Sequence, residues 1–244
     1  MTVASIKQYL EVILNKHSSG NTLSPQEFNL LLSSSIYGFV KSQVMQYRQY
    51  INGATPVDDV IATALLYESL QKSQSVTLAG GAFTLPTDML MMNDLYGTSG
   101  SLKEIELVSP EEYPKRLHNM LGKPLNYYPI AYIVGTSCKV VPTNMTSLIL
   151  SYIAKPVTPV FDYYVDADYN VVPLAASATR ELSTGETGSL GQAEGTTVTS
   201  LTVELTIPED SHMLFADYLL GKVSLRDRDA NLYQGVENEK NNEK

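Results

Sequence analysis

The spacing of apolar residues has a helical period up to about residue 75 and a strand period beyond it. Ser24-Pro25-Gln26-Glu27 is a capping box with proline at the first helical position, and apolar residues then recur every three or four positions. This stripe predicts a helix that runs to about Tyr50. A shorter helix is predicted over residues 5–16, and Thr55-Pro56-Val57-Asp58 begins a third. Residues 1–75 are therefore predicted to be a helical bundle segment.

Residues 76–207 are predicted to be rich in strands, because apolar and polar positions alternate with a period of two. The alternation is clearest from Tyr127 to Pro159, where prolines bound two strands. The positions predicted to share a face are Tyr128, Ile130, Tyr132 and Val134 in the first strand and Leu148, Leu150 and Tyr152 in the second. Shorter strands are predicted over 76–78, 83–85 and 89–95, and an inserted helix over 110–121 begins at Ser109-Pro110-Glu111-Glu112.

The last third of the chain combines a polar excursion with a final helix. Residues 161–200 are rich in Gly, Ser, Thr and acidic residues, a composition typical of a long flexible excursion. A strand is predicted over Thr202 to Ile207, a helix over 208–233 that completes the bundle, and a polar tail over 234–244. The predicted fold class is α+β: an N-terminal helical bundle joined to a small antiparallel β-sandwich or barrel, with a C-terminal helix.

Composition narrows the functional classes. The 244 residues include 26 acidic and 17 basic ones, a formal charge of −9, which disfavours binding to nucleic acid through its phosphates. The single cysteine, Cys138, cannot form an intrachain disulfide and is interpreted as a buried strand residue. Without a secretion signal or a long apolar run, the chain is expected to be a soluble protein made in the cytoplasm.

The residues that could carry chemistry do not form a recognised motif. His17, His118 and His212 lack the spacing of metal ligands, so no zinc site is predicted. A nucleophilic pair of Cys138 with His118 is disfavoured, because an apolar strand destabilises a thiolate. The sequence therefore predicts no enzyme activity, no metal and no cofactor.

Two partial motifs also fail. Asp166-Ala167-Asp168-Tyr169-Asn170 opens like a calcium loop, but Val171 and Ser177 stand where the loop needs glycine and glutamate. A solvated hairpin tip is the favoured interpretation. Gly188, Gly191 and Gly195 lack the Gly-Lys-Ser/Thr of a phosphate loop and are interpreted as flexible positions.

The chain has sixteen tyrosines and no tryptophan, which is an unusual combination. Tyrosine joins a large apolar body to a polar tip, which suits half-buried strands, protein interfaces and carbohydrate platforms. A glycan-binding module therefore remains an alternative function. The predicted interface residues are Phe161, Tyr163, Tyr164, Tyr169 and Tyr233.

The order of short motifs along the chain resembles a known family. An LP-x-D turn, a YY-x-I hairpin, an L-x-Y-x-x-x-P strand and an I-P-E helix start follow one another within residues 23–159 and 201–233. The matching residues are Leu85, Pro86, Asp88, Tyr127, Tyr128, Ile130, Pro142, Leu150, Tyr152, Pro156, Pro208 and Glu209. The series resembles the head-to-tail adaptor proteins of short-tailed bacteriophages, also called tail tubular or connector ring proteins. The low-charge, tyrosine-rich style is similar to ring proteins of crAss-like phages.

The resemblance implies a virion structural protein at the head-tail junction, assembled in the host cytoplasm. Such a protein forms a homo-oligomeric ring, expected to be a dodecamer, beneath the portal protein and above the next tail or ring protein. Double-stranded DNA passes through its lumen without specific binding, and neither a membrane nor a cofactor is involved. Residues 161–200 and the tail after Tyr233 are expected to contact the portal or an adjacent subunit.

Overall fold

A computed structural model describes residues 1–17, 23–53, 60–98, 103–119 and 123–223. The chain divides into two compact units, one formed by Met1–Ser69 with Pro156–Lys244 and the other by Leu70–Lys155. The fold class is α+β, as predicted, with helices at the N-terminal end, a late helix and several antiparallel strand pairs.

Among the described residues, the first unit contains four helices, each of which buries apolar side chains. They are α1 (Val3–His17), α2 (Pro25–Ile51), α3 (Val60–Leu70) and, after α4 of the second unit and a 3-10 turn at Glu209–Ser211, α5 (residues 212–223). The capping box is confirmed, since Ser24 Oγ accepts from the Glu27 amide at 3.3 Å and the Glu27 carboxylate accepts from the Ser24 amide at 3.1 Å. The predicted start at Thr55-Pro56 lies outside the described residues.

The late helix packs against the N-terminal helices. The ring of Phe39 on α2 lies 5.2 Å from that of Phe215 and 5.6 Å from that of Tyr218. The Ser211 hydroxyl donates to the carbonyl of Ala62 at 3.2 Å, and the Tyr9 hydroxyl donates to an Asp217 carboxylate oxygen at 2.9 Å. This helix is described as far as residue 223, so the predicted portion up to 233 and the tail 234–244 lie outside the described residues.

The second unit consists of two four-stranded sheets and helix α4 (Glu112–His118). Its strands are β1 (Gln71–Thr77), β2 (Ala82–Thr84), β3 (Met89–Gly97), β4 (Lys103–Glu104), β5 (Glu106–Leu107), β6 (Ile130–Val134), β7 (Ser137–Val141) and β8 (Ser147–Ala154). One sheet has the order β1-β8-β3-β4 and the other β2-β7-β6-β5, and only β5 with β6 is parallel among these described pairs. Both sheets contribute side chains to one hydrophobic cluster.

Two predictions about these strands need correction. The helical segment ends at Leu70 rather than residue 75, because Gln71–Thr77 pairs with β8 over its whole length. On β6 it is Ala131 and Ile133 that face the common cluster, whereas the Tyr132 ring stacks on Tyr113 of α4 at 4.1 Å. The helix covers the second face of β6, so apolar residues are needed on both faces. On β8 the predicted face is confirmed, since Leu148, Leu150 and Tyr152 belong to the cluster.

The polar excursion is a folded module, which corrects the prediction of a flexible run. Its strands are β9 (Tyr163–Val165), β10 (Val171–Pro173), β11 (Thr179–Glu181), β12 (Thr187–Gly188) and β13 (Thr197–Thr199). β9 pairs with β10 and β12, and β11 pairs with β13. The module encloses a small core of Tyr164, Leu174, Leu182 and Val198, and it belongs to the unit of the long helices. The strand predicted over residues 202–207 is reduced to one bridge, Val160 with Val203.

A buried carboxylate holds the start of this module together. Asp162 is 5% exposed, and its side chain accepts hydrogen bonds from the Tyr163 amide at 3.0 Å, from the Leu201 amide at 2.8 Å and from the Ser189 hydroxyl. Its own amide donates to the Thr202 hydroxyl at 3.2 Å. One residue therefore ties together segments about forty positions apart, where short strands alone provide few hydrogen bonds.

Asn29 on α2 attaches the module to the helices. Its side-chain amide donates to the Phe161 carbonyl at 2.8 Å and accepts from the Phe161 amide at 2.8 Å, so both backbone groups are satisfied by one side chain. The neighbouring Phe28 ring packs edge-on against Phe161 at 5.7 Å. The attachment therefore combines directional hydrogen bonds with an apolar contact.

Replacing Asn29 by Ala is expected to lower the free energy of unfolding by about 1–3 kcal/mol, because the buried Phe161 residue loses partners for its N–H and C=O. Ser33→Ala on the exposed face of the same helix is the control and should change it by less than about 0.5 kcal/mol. Urea denaturation measures both. Equal free energies of unfolding for the two variants would show that the side-chain amide of Asn29 does not stabilise the fold.

Candidate interaction surface

The LP-x-D turn meets the motif strand β8 through Asp88. One Asp88 carboxylate oxygen accepts from the Tyr152 hydroxyl at 3.1 Å, and the other accepts from Lys72 Nζ at 2.6 Å. The Lys155 amide donates to the Asp88 carbonyl at 2.7 Å. Three segments that are distant in sequence thus converge on one aspartate.

The charges at this junction follow from its contacts. The hydrogen bond from Lys72 lowers the pKa of Asp88, and that from Tyr152 acts in the same direction. Burial raises the pKa of the Tyr152 hydroxyl, and the hydrogen bond to Asp88 raises it further. Tyr152 therefore remains a neutral hydrogen-bond donor and Asp88 an ionised acceptor. This arrangement stabilises the contact between the turn and β8.

Most other residues of the family pattern are also structural. Leu85 packs against the common cluster, and Leu150 and Ile130 are buried. Pro142 follows a cis peptide bond, Pro156 is buried, Pro208 is half-buried and Glu209 is exposed in the 3-10 turn. Tyr127 and Tyr128 are the aromatic residues of the pattern that are exposed, at 73% and 77%.

Tyr127 and Tyr128 lie in a tight turn between two buried prolines. The Tyr128 amide donates to the Leu125 carbonyl at 2.9 Å, and the Leu125 amide donates to the Tyr128 carbonyl at 3.4 Å. Pro124 and Pro129 flank the turn and restrict the backbone on both sides. We call residues 123–128 the tyrosine turn; it presents Leu125 and two phenol rings to solvent from a fixed backbone.

The interface residues predicted in the excursion need correction. Phe161, Tyr163 and Tyr164 are at most 9% exposed, so their rings are not available to a partner. Phe161 packs on Phe28, and the Arg180 guanidinium lies 4.3 Å from the centroid of the Tyr164 ring. Tyr233 lies outside the described residues.

Tyr169 is the one predicted aromatic of the excursion that the structure places on the surface, at the tip of the β9–β10 hairpin. It is 89% exposed and has a positive φ of 64°. The Asp166 carboxylate fixes this tip by accepting from the amides of Asp168 at 2.9 Å and Asn170 at 2.8 Å. The interpretation of residues 166–170 as a hairpin tip is therefore confirmed.

A cavity of about 400 Å³ lies in the second unit between residues 92–95 and residues 104–107. It forms where the chain passes from one sheet to the other: β4 pairs with β3, whereas β5 pairs with β6. Its lining residues include Asp94, Glu104, Glu106 and the half-exposed Leu107, and it borders Leu95 and Ile105, whose side chains are buried in the common cluster. Glu106 is paired with Arg116 at 2.7 Å.

The sequence patterns did not predict this cavity, and they did not predict that residues 123–128 form one exposed turn. The signal for the turn was present, since prolines at 124 and 129 bracket four residues that include two adjacent tyrosines. The cavity had no comparable signal, because it depends on how a seven-residue stretch divides its pairing between two sheets. Residues 103–107 carry no distinctive motif.

Cys138 is buried on β7, as predicted. It is fully enclosed in the common cluster, and burial raises the pKa of its thiol to about 11. Within the described residues, no three His, Cys, Asp or Glu side chains are grouped so that they could hold a metal ion. Over the same part of the chain, every helix is too short or too polar to span a bilayer.

No protein-family model matches this sequence, and no curated protein matches it significantly.

Asp88→Ala is expected to lower the free energy of unfolding by about 1 kcal/mol, because the buried Tyr152 hydroxyl loses its acceptor while the exposed Lys72 pair contributes little. Since folding lowers the pKa of Asp88, its contribution is full above the ordinary carboxyl value of 3.8 and is lost as the pH falls through the folded value. Denaturation curves across acidic pH measure this. Asp168→Ala, at the exposed hairpin tip, should leave stability and its pH dependence unchanged.

Native Cys138 is expected to react very slowly with a thiol reagent at pH 8, and rapidly once the chain is unfolded, because the thiol is buried and protonated. A Cys138→Ala, Val134→Cys variant provides the matched control, since Val134 is about half exposed in the same hairpin. Labelling rates followed by mass spectrometry give the comparison. Equal native rates for the two cysteines would contradict the buried site.

Proposed function

We propose that this chain is a virion structural protein that forms a head-to-tail connector ring beneath the portal of a short-tailed bacteriophage. The observation that carries the proposal is the meeting of two motif fragments in space. Asp88 of the LP-x-D turn accepts a hydrogen bond from Tyr152 of the L-x-Y-x-x-x-P strand. Residues that match the family pattern by their order in the sequence are therefore in contact in the fold. A contact of this kind supports a resemblance in fold, and the role in the ring follows from that resemblance by analogy.

In the proposed subunit, the two four-stranded sheets would form the sandwich expected of the family, and the helices of the first unit its bundle. The ring would hold the portal on one side and the next tail or ring protein on the other. Its work would be mechanical: to extend the portal channel, seal the filled head and offer a docking platform.

The distribution of charge supports passage of DNA without binding. Residues 1–69 and 156–244 carry twenty acidic and ten basic residues, whereas residues 70–155 carry six acidic and seven basic. An acidic surface repels phosphates, so a lumen lined by the first unit would let the duplex slide. A lumen lined mainly by Lys and Arg would contradict this part of the proposal.

A glycan-binding module is the second candidate, and the tyrosine turn favours it. Two adjacent phenol rings, each about three-quarters exposed on a fixed backbone, could stack on sugar rings. The first candidate accounts for the ordered motif series as well, which the second does not.

The purified full-length chain is expected to form closed rings in negative-stain images and to co-elute with the portal protein of the same phage. Native mass spectrometry would count the subunits, and imaging of the intact virion would locate the ring at the head-tail junction. A chain that stays monomeric with and without portal would overturn the proposal. Binding to a glycan array that Tyr127→Ala abolishes, without assembly, would establish the second candidate instead.

A further inference from the structure

The tyrosine turn and the cavity belong to the same end of one sheet. The Glu106 amide in the cavity wall donates to the carbonyl of Pro129, the residue that follows the turn, at 3.2 Å. From there β5 and β6 run parallel, with Glu106 opposite Ile130 and Leu107 opposite Ala131. The exposed turn therefore adjoins the wall of the cavity.

The two features have complementary chemistry. The turn offers two exposed tyrosine rings, the O–H of Tyr128, the apolar side chain of Leu125 and the exposed cation Lys123. The cavity offers the half-exposed Leu107 together with Asp94 and Glu104, whose carboxylates form no ion pair within the described part of the chain. Donors and a cation on one side would meet acceptors and anions on the other.

The turn does not fill the cavity of its own chain, because both tyrosine rings remain about three-quarters exposed. A volume of about 400 Å³ lies within the range of about 300–1,000 Å³ that is usual for ligand sites. Exposed aromatic residues beside a pocket are typical of the residues that dominate protein interfaces.

We propose that the tyrosine turn of one copy of this chain inserts into the cavity of a second copy. The Tyr128 O–H donates to the carboxylate of Asp94 or Glu104, Lys123 pairs with the same carboxylates, and Leu125 packs on Leu107. The contact names a subunit interface for the connector ring and in that respect rests on the proposed function. It can repeat head to tail, which gives a ring when the rotation between successive copies closes, or be exchanged reciprocally, which gives a dimer.

The test is self-association of the full chain, measured by sedimentation velocity over a range of concentrations. The Tyr127→Ser, Tyr128→Ser double variant is expected to raise the dissociation constant at least about tenfold, because exposed aromatic anchors carry much of the affinity at such contacts. Tyr169→Ser is the matched control, since Tyr169 is even more exposed but lies in the other unit, and it should behave as the wild type. Thermal melting checks that each variant is folded.

A charge exchange tests whether the two features touch. Asp94→Lys with Glu104→Lys should weaken association, and adding Lys123→Glu to that variant should restore it. The proposal would be overturned if the double tyrosine variant associated as tightly as the wild type, or if the wild type itself were monomeric. It would also be overturned if Lys123→Glu did not restore the association of the double lysine variant. A dimer that depends on the turn would support this contact while contradicting the ring, so failure of the contact and failure of the ring are distinguishable.

Discussion

The second unit depends on strand β8, because this long strand is paired over most of its length on both edges. It bonds β1 through seven successive residue pairs and bonds β3 on its other edge. Its side chains are apolar on both faces, and Leu148, Leu150 and Ile153 are fully buried. β1, in contrast, is polar and almost wholly exposed, so it is a strand only because β8 supplies its hydrogen-bond partners. The motif turn depends on β8 as well, since Asp88 is held by Tyr152 and Lys155.

The first unit includes a polar module that is ordered although its hydrophobic core is very small. Four buried residues form the interior of the excursion, which is too small to offset the chain entropy of about forty residues. Polar side chains supply the missing order. Asn29 satisfies both backbone groups of Phe161, and Asp162 gathers two amides and a hydroxyl from separate segments. Because these groups are shielded from water, each hydrogen bond is stronger than it would be on the surface.

Sequence patterns predicted the parts of the fold that depend on interactions between residues close together in the chain. The capping box at Ser24, the long stripe of α2 and the buried face of β8 depend on residues a few positions apart, so they could be predicted from spacing. The order of the excursion could not, because Asn29 and Phe161 are 132 positions apart and no periodicity connects them. On β6 apolar residues occupy both faces, and alternation cannot reveal which face meets the sheet and which meets α4. Aromatic clustering likewise misassigned Phe161, Tyr163 and Tyr164 to an interface, since the same amphipathic rings serve a small core equally well.

The difference between the two aromatic clusters lies in how the backbone is held. The excursion turns its rings inward, where Phe28, Arg180 and the hydrogen bonds of Asp162 compensate for the loss of solvent. The tyrosine turn is held by buried prolines and two backbone hydrogen bonds, which restrict its backbone while its rings stay exposed. Binding of the turn by a partner would therefore cost little backbone entropy. Nearby carboxylates would disfavour an acidic partner such as DNA phosphate and favour a surface that carries donors and a lysine, which the turn of a second copy provides.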